Sequence, residues 1–316
     1  MEATTWQKRS VIALVATLCG LLWGSAFPVL KISYSELNMA ADDVFAKMVF
    51  AGIRFLLAGI FILVFFSFRH QKKILPELKG YWKLVLIMGL MSTTLQYFFF
   101  YNGLARTSGV TSSIMVGMGT FIVAIMAHFY YPDDRLNRRK ISGLVLGMIG
   151  VVAVALLKGP LDFSLKWNGE GFIFIANTVA SVAAIYGKEL GKRMNILVMT
   201  GSQMCMGALI LLSGGLSGMQ PGSIQWTGLG FVLLLYAAFL SAVAFGLWYT
   251  LLVFNKAGEV SLYKFLIPVF GSLLSAVFLG ESFTIIHGMA LLLVVLGIWL
   301  VNGNGAKRRE SNERIA

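Results

Sequence analysis

Two cations stand alone inside long apolar stretches of this 316-residue chain, Arg54 and Lys264. Arg54 lies about eleven residues into an apolar run over 44–66, near the middle of a bilayer-length segment. There a guanidinium costs at least a few kcal/mol unless it faces protein or water. Its planar fork suits bidentate contact with a carboxylate; the alternative is an internal tie to carbonyls or to a polar side chain such as Gln203. Lys264 sits about five residues into the run over 259–279, roughly 7–8 Å by helix rise. Its stem is long enough to snorkel to the interface, so an inward role and an interfacial one are both open.

Pro268 follows Lys264 by four residues, and Pro28 follows Gly24 in the same way. A proline has no N–H for the carbonyl four residues back, so each leaves a backbone oxygen free inside an apolar run. Such helix breaks bind cargo or act as gates in many membrane proteins, while a packing kink is the simpler account. Aromatic residues are the third signal. Tyr97 and Tyr101 share one helical face at i, i+4 spacing, and with Trp23, Trp248, Tyr249 and Tyr263 they form a set able to wall a cavity for a partly apolar ligand. Interfacial anchoring of tyrosine and tryptophan competes with that reading. His128 and His287 are read first as satisfied or interfacial histidines and second as proton carriers.

Much chemistry is excluded. The chain has no H-E-x-x-H, no membrane aspartate pair, no credible Ser/His arrangement and no Walker A loop. Catalytic residues, metal and cofactor are therefore all expected to be none. Its fourteen acidic residues fall in tails, loops or the ends of apolar runs. Cys19 and Cys205 lie in apolar stretches with no partner close in sequence and read as small core hydrophobes.

The elements that must position these residues follow from composition. With 58% apolar residues, 13% charged and a mean hydropathy of +0.79, the chain lacks the charge of a soluble domain, which is about a quarter of its residues. About 20 apolar residues cross the hydrocarbon. Ten such runs are found, at 11–32, 44–66, 82–101, 109–130, 141–157, 171–187, 195–214, 227–251, 259–279 and 284–302. The first reads as a retained transmembrane helix and not a cleaved signal, for want of a small-x-small site. With the N-terminus inside, 19 of the 26 lysines and arginines fall on the cytoplasmic side and five on the other, with Arg54 and Lys264 within spans. That asymmetry places both termini in the cytoplasm, and the +12 charge reads as topology and not as nucleic-acid binding.

The chain also repeats itself. A shift of 149 residues lays Ala51-Gly52-Ile53-Arg54-Phe55 on Thr200-Gly201-Ser202-Gln203-Met204, and Leu90-Met91-Ser92 on Phe239-Leu240-Ser241. The same shift lays Gly119-Thr120-Phe121 on Pro268-Val269-Phe270. Five spans per half is an odd number, so the halves are expected to be inverted relative to one another. The division is residues 1–157, an inter-repeat loop over 158–167, residues 168–303, and a basic tail over 304–316.

The first run carries Leu22-Trp23-Gly24-Ser25-Ala26-Phe27, the second Arg54-Phe55-Leu56-Leu57-Ala58-Gly59, and the ninth Phe265-Leu266-Ile267-Pro268-Val269-Phe270 leading to Leu279-Gly280-Glu281. Gly288 and Gly297 follow in the tenth. In that order the sequence resembles the EamA-like family of the drug/metabolite transporter superfamily over nearly its whole length. The resemblance implies an all-α membrane protein of ten transmembrane helices in two inverted five-helix repeats. It also implies export of amino acids or other small metabolites by alternating access. The chain departs from the family's pattern where Gly119-Thr120 replaces a fourth-helix proline and where only Asp133 and Asp134 meet the usual glutamate beyond it. The expected substrate contacts are Trp23, Arg54, Tyr97, Tyr101, Trp248, Tyr263 and Lys264, with Pro28 and Pro268 as helix breaks. The expected partners are a small-molecule substrate and the lipid bilayer of a bacterial cell membrane, with no nucleic acid. A membrane-embedded enzyme and a non-transporting receptor or scaffold are the competing classes.

Overall fold

The computed structural model describes residues 3–70, 74–104, 106, 109–156, 167–280 and 284–302. Ser108, Glu281, inter-repeat residues 158–166, the tail 304–316 and the side chain of Ser112 lie outside the described set. Everything within it is helix, turn or connection, with no strand among the described residues. Ten main helices follow one another: α1 (Arg9–Glu36), α2 (Val44–His70), α3 (Trp82–Leu104), α4 (Gly109–Tyr130), α5 (Arg138–Leu156), α6 (Trp167–Gly191), α7 (Ile196–Gly218), α8 (Gly228–Phe254), α9 (Ala257–Leu279) and α10 (Ile285–Asn302). Eight are long and apolar enough to cross a membrane, and α4 and α10 carry shorter apolar stretches, Met115–Tyr130 and Ile285–Val301. Hydrocarbon offers no partner to a backbone N–H or C=O, so only helices that bond within themselves are stable there.

The two prolines behave differently. Helix α1 runs through Pro28 without interruption. Helix α9 is α-helical over Ala257–Ser261, tightens to a 3₁₀ turn over Leu262–Phe265, and resumes at Leu266. The break lies just ahead of Pro268, where the missing N–H releases the Lys264 carbonyl. A π-helical turn interrupts α3 over Leu90–Leu95, and such turns concentrate at functional positions.

Close helix approach depends on small residues. A Cβ at Gly59 on α2 would lie 2.6 Å from both Cys205 Sγ and the Gly201 oxygen on α7. Between α5 and α10, a Cβ at Gly143 would lie 2.7 Å from the Gly297 oxygen, and one at Gly297 the same distance from the Gly143 oxygen. The principal packings are α2 on α7, α5 on α10, α1 on α8 and α9, α6 on α3 and α4, α2 on α8, and α7 on α3. This set is unchanged when every helix is exchanged for the one five places along the chain. Large apolar side chains such as Phe68 and Phe129 point outward, exposed, as a lipid-facing surface requires.

Candidate functional site

The inner face of α8 organises the interior. Ser241, Phe245 and Trp248 fall at i, i+4 and i+7, one stripe of a helix, with Ser241 fully buried and Trp248 only 3% exposed. Arg54 of α2 meets the first of them: its Nε donates to Ser241 Oγ at 2.9 Å, and that hydroxyl donates onward to the Ala237 carbonyl at 2.7 Å. Arg54 is 3% exposed, and no carboxylate pairs with it among the described residues. Tyrosines gather around the Phe55 ring, with the Tyr97 and Tyr101 rings 5.9 Å apart on α3. The Phe55 ring sits 4.6 Å from the guanidinium carbon and 4.5 Å from the Tyr97 ring. Tyr34 lies beside Tyr101, yet its buried hydroxyl completes no hydrogen bond of normal geometry.

The second cation meets the other end of the stripe. Lys264 Nζ stands 5.4 Å from the centre of the Trp248 ring, with no hydrogen bond or ion pair among the described residues. It is therefore turned onto the ring, and snorkelling does not describe it. Lys264 and Tyr97 are both half-buried. The indole N–H of Trp248 is buried without a partner. Trp23 of α1 packs edge-on against both Trp248, at 5.3 Å, and Phe245, at 5.2 Å, while Phe245 reaches Phe55 at 6.1 Å. A continuous aromatic wall thus joins the two cations. Of the seven expected contacts, Trp23, Arg54, Tyr97, Tyr101, Trp248 and Lys264 come together. Tyr263, buried in the same apolar cluster as Trp248, makes no ring contact or hydrogen bond with them among the described residues.

Gln203, raised above as a tie for Arg54, bonds elsewhere. Its Oε1 lies 2.6 Å from Ser92 Oγ and 3.1 Å from Thr93 Oγ1 on the π-turn of α3. Ser92 places its hydroxyl between the Met88 carbonyl, at 2.8 Å, and the Gln203 amide, as Ser241 does between Ala237 and Arg54. Each residue of one arrangement lies 149 positions from its counterpart in the other. Tyr34, Ser241 and Phe245 were not singled out by sequence. The only signal for Ser241 was its alignment with Ser92, and Tyr34 lay beyond residue 32, where the first apolar run was ended.

A separate polar cluster closes the helix ends around the α4–α5 connection. Asp134, 1% exposed, pairs with Lys140, 4% exposed. The other Asp134 oxygen accepts the Gly258 N–H at 2.8 Å, at the start of α9, while Glu259 lies 3.9 Å from the Lys140 ammonium. Next to it Lys188 donates to the Asn255 carbonyl at 2.6 Å, and Tyr131 donates to Glu189 at 2.6 Å. Burial first, and then that carboxylate, raise the Tyr131 pKa above the usual tyrosine value. Asp134 and Lys140 had read as loop residues, and the structure buries both. His128 and His287 are both hydrogen-bonded. His128 Nδ1 accepts the Leu136 N–H at 3.0 Å, and His287 Nδ1 accepts the Thr284 N–H at 3.2 Å with Ser272 Oγ 2.9 Å from Nε2. A neutral ring with Nδ1 accepting carries its proton on Nε2.

A multi-pass helical membrane protein with a cationic and aromatic interior is the class these observations define. The chain belongs to the EamA-like transporter family, whose model matches residues 10–156 and 167–303. It is 27% identical to the uncharacterized transporter YvbV of Bacillus subtilis, over 96% of this chain and 97% of that protein. It is 26% identical to the WAT1-related protein At3g02690, chloroplastic, of Arabidopsis thaliana, over 89% of this chain and 66% of that protein. A chain of known crystal structure, 16% identical, superposes over 96% of this chain and 99% of its own length with a TM-score of 0.77; at that identity the likeness shows the fold.

Proposed function

We propose that this protein exports a small carboxylated metabolite, with an amino acid or a close relative as the leading cargo, by alternating access between two inverted five-helix halves. The observation that carries the reading is the pair of interior cations, Arg54 and Lys264, held against one aromatic wall with no carboxylate to neutralise them among the described residues. An uncompensated buried charge is costly, and a bound carboxylate removes that cost. The inverted halves, residues 1–157 and 168–303 with five spans each, are supported by the packing pattern that survives exchange of helices five apart. The matched Arg54–Ser241 and Gln203–Ser92 contacts support them independently. In this reading both termini lie in the cytoplasm of a bacterial cell, and the Asp134–Lys140 cluster closes the cytoplasmic ends of the helices. Energy coupling is either passive, down the substrate gradient, or a weak coupling to protons through His128, Lys264 or Glu281, since no carboxylate pairs with the interior cations among the described residues. An intramembrane enzyme would need an assembled nucleophile, acid pair or metal set. No group of three or more metal-ligating side chains occurs among the described residues.

The test is flux. Purified protein in proteoliposomes is expected to move labelled amino acids down their gradient, and Arg54→Gln is expected to raise KM at least tenfold. A scaffold would move none of them, and unchanged KM in Arg54→Gln would leave Arg54 a purely structural tie to Ser241.

A further inference from the structure

We infer that the preferred cargo carries two anionic groups, as a dicarboxylate or an acidic amino acid does, with one group held at Arg54 and the other at Lys264. The inference rests on the transport reading above and narrows it. Ser241 and Trp248, the α8 partners of the two cations, are seven residues apart, about 10 Å of helix rise. An extended carbon chain advances about 1.2 Å per bond, and a charge-assisted contact adds about 2.8 Å at each end. A dicarboxylate of four to six carbons therefore matches the spacing of those two partners along α8.

The Lys264 end also offers a second donor, the unpartnered indole N–H of Trp248 beneath the ammonium. A carboxylate has two oxygens, and a cation with a neutral donor beside it can serve both. Between the ends stand Phe55, Phe245 and Trp23, an apolar wall suited to the carbon chain. A zwitterion with one carboxylate answers only one of the two cations, and its ammonium finds no carboxylate in the cluster. The aromatic faces can take the ammonium of an acidic amino acid, so both forms of the dianion fit.

The test uses the full-length protein in proteoliposomes loaded with labelled glutamate. Glutarate, glutamine, leucine and monomethyl glutarate serve as competitors. Glutamate and glutarate are expected to compete at least tenfold better than glutamine or monomethyl glutarate, and their ratio tells an acidic amino acid from a plain dicarboxylate. Lys264→Met is expected to abolish the tenfold preference, and Lys264→Arg to restore it. Should Lys264→Met fail to fold, the wild-type competition series and the thermal stabilisation of detergent-solubilised protein by glutarate decide alone. Glutamine or leucine moving as well as glutamate, or a preference untouched in folded Lys264→Met, would overturn the dianion while leaving amino-acid transport intact. A protein that moves none of the panel loses both readings.

Discussion

Replacing Asp134 by Asn removes one charge and almost nothing else. In the native chain its carboxylate pairs with the buried Lys140 ammonium and accepts the Gly258 N–H. Asparagine keeps an acceptor for Gly258, so the contact at the start of α9, worth about 1 kcal/mol, survives. What is lost is the partner of a buried ammonium, which costs about 3–5 kcal/mol. Glu259, 3.9 Å from Lys140, stays in place and puts the loss at the low end, about 3 kcal/mol. For a chain of this size that is about 6 °C in Tm or somewhat less. Applied to an equilibrium between closed and open helix ends, the same energy is roughly a hundredfold shift in population. Two assays read it. One is thermal unfolding in detergent of the native chain, Asp134→Asn, and Asp134→Asn with Lys140→Met. The other is labelling of a cysteine at Lys256 from each side of the membrane. The double variant is expected to recover most of the lost Tm, because it removes the orphaned charge. A single variant within 1 °C of the native Tm, or a double variant no better than the single, would refute the reasoning.

Ser241→Ala removes the acceptor of Arg54 Nε and is expected to lower stability by about 1–3 kcal/mol while shifting KM, which a stability series beside a flux series separates. Gly59→Val forces a side chain to within 2.6 Å of Cys205 Sγ and the Gly201 oxygen; overpacking of about 1–3 kcal/mol or more is expected to lower both Tm and folded yield. Tyr131 has a folded pKa above its unfolded value of about 10, so its contribution to stability is complete below that pH and is lost as pH rises through the folded value. Tyr131→Phe is expected to show a shallower alkaline loss of Tm, and identical alkaline limbs would remove Tyr131 from that account.

Hydropathy was enough to find the helices because hydrocarbon tests every residue of a span. The ten apolar runs coincide with ten helices to within a few residues at most ends, and eight of those are long and apolar enough to cross a membrane. Tyr34 shows where that signal stops. Lys31, Ser33 and Ser35 around it read as the end of a span, yet α1 continues to Glu36 and packs Tyr34 against Phe50 of α2. Asp134 and Lys140 were legible as charges but not as a buried pair. Their burial depends on α9 arriving from 124 residues away to present the Gly258 N–H, and no local pattern encodes such a partner. The π-turn that presents Ser92 and Thr93 to Gln203 was equally hidden, since Leu90–Leu95 has an ordinary apolar and hydroxyl composition.

The 149-residue shift was more informative than any single motif, and its failures matter as much as its matches. Serine recurs at 92 and 241 and holds its hydroxyl in the same place in both halves, but its partner is glutamine in one case and arginine in the other. Lys264 corresponds to Met115. The serine contact recurs and the charge does not. In the proposed transporter each half then supplies one cation, Arg54 from the first and Lys264 from the second. A cargo bridging them ties the halves together, whereas a rocking motion of one half against the other changes the distance between the cations. Affinity is high in the arrangement that matches the cargo's two charges and low in the next, because the Coulomb and hydrogen-bond terms fall steeply with separation in a low-dielectric interior. A symmetric pair of neutral sites would not respond to rocking in this way. In the proposed transporter, divergence at positions 54 and 264 is what would convert a two-fold scaffold into a device that takes up and releases an anion.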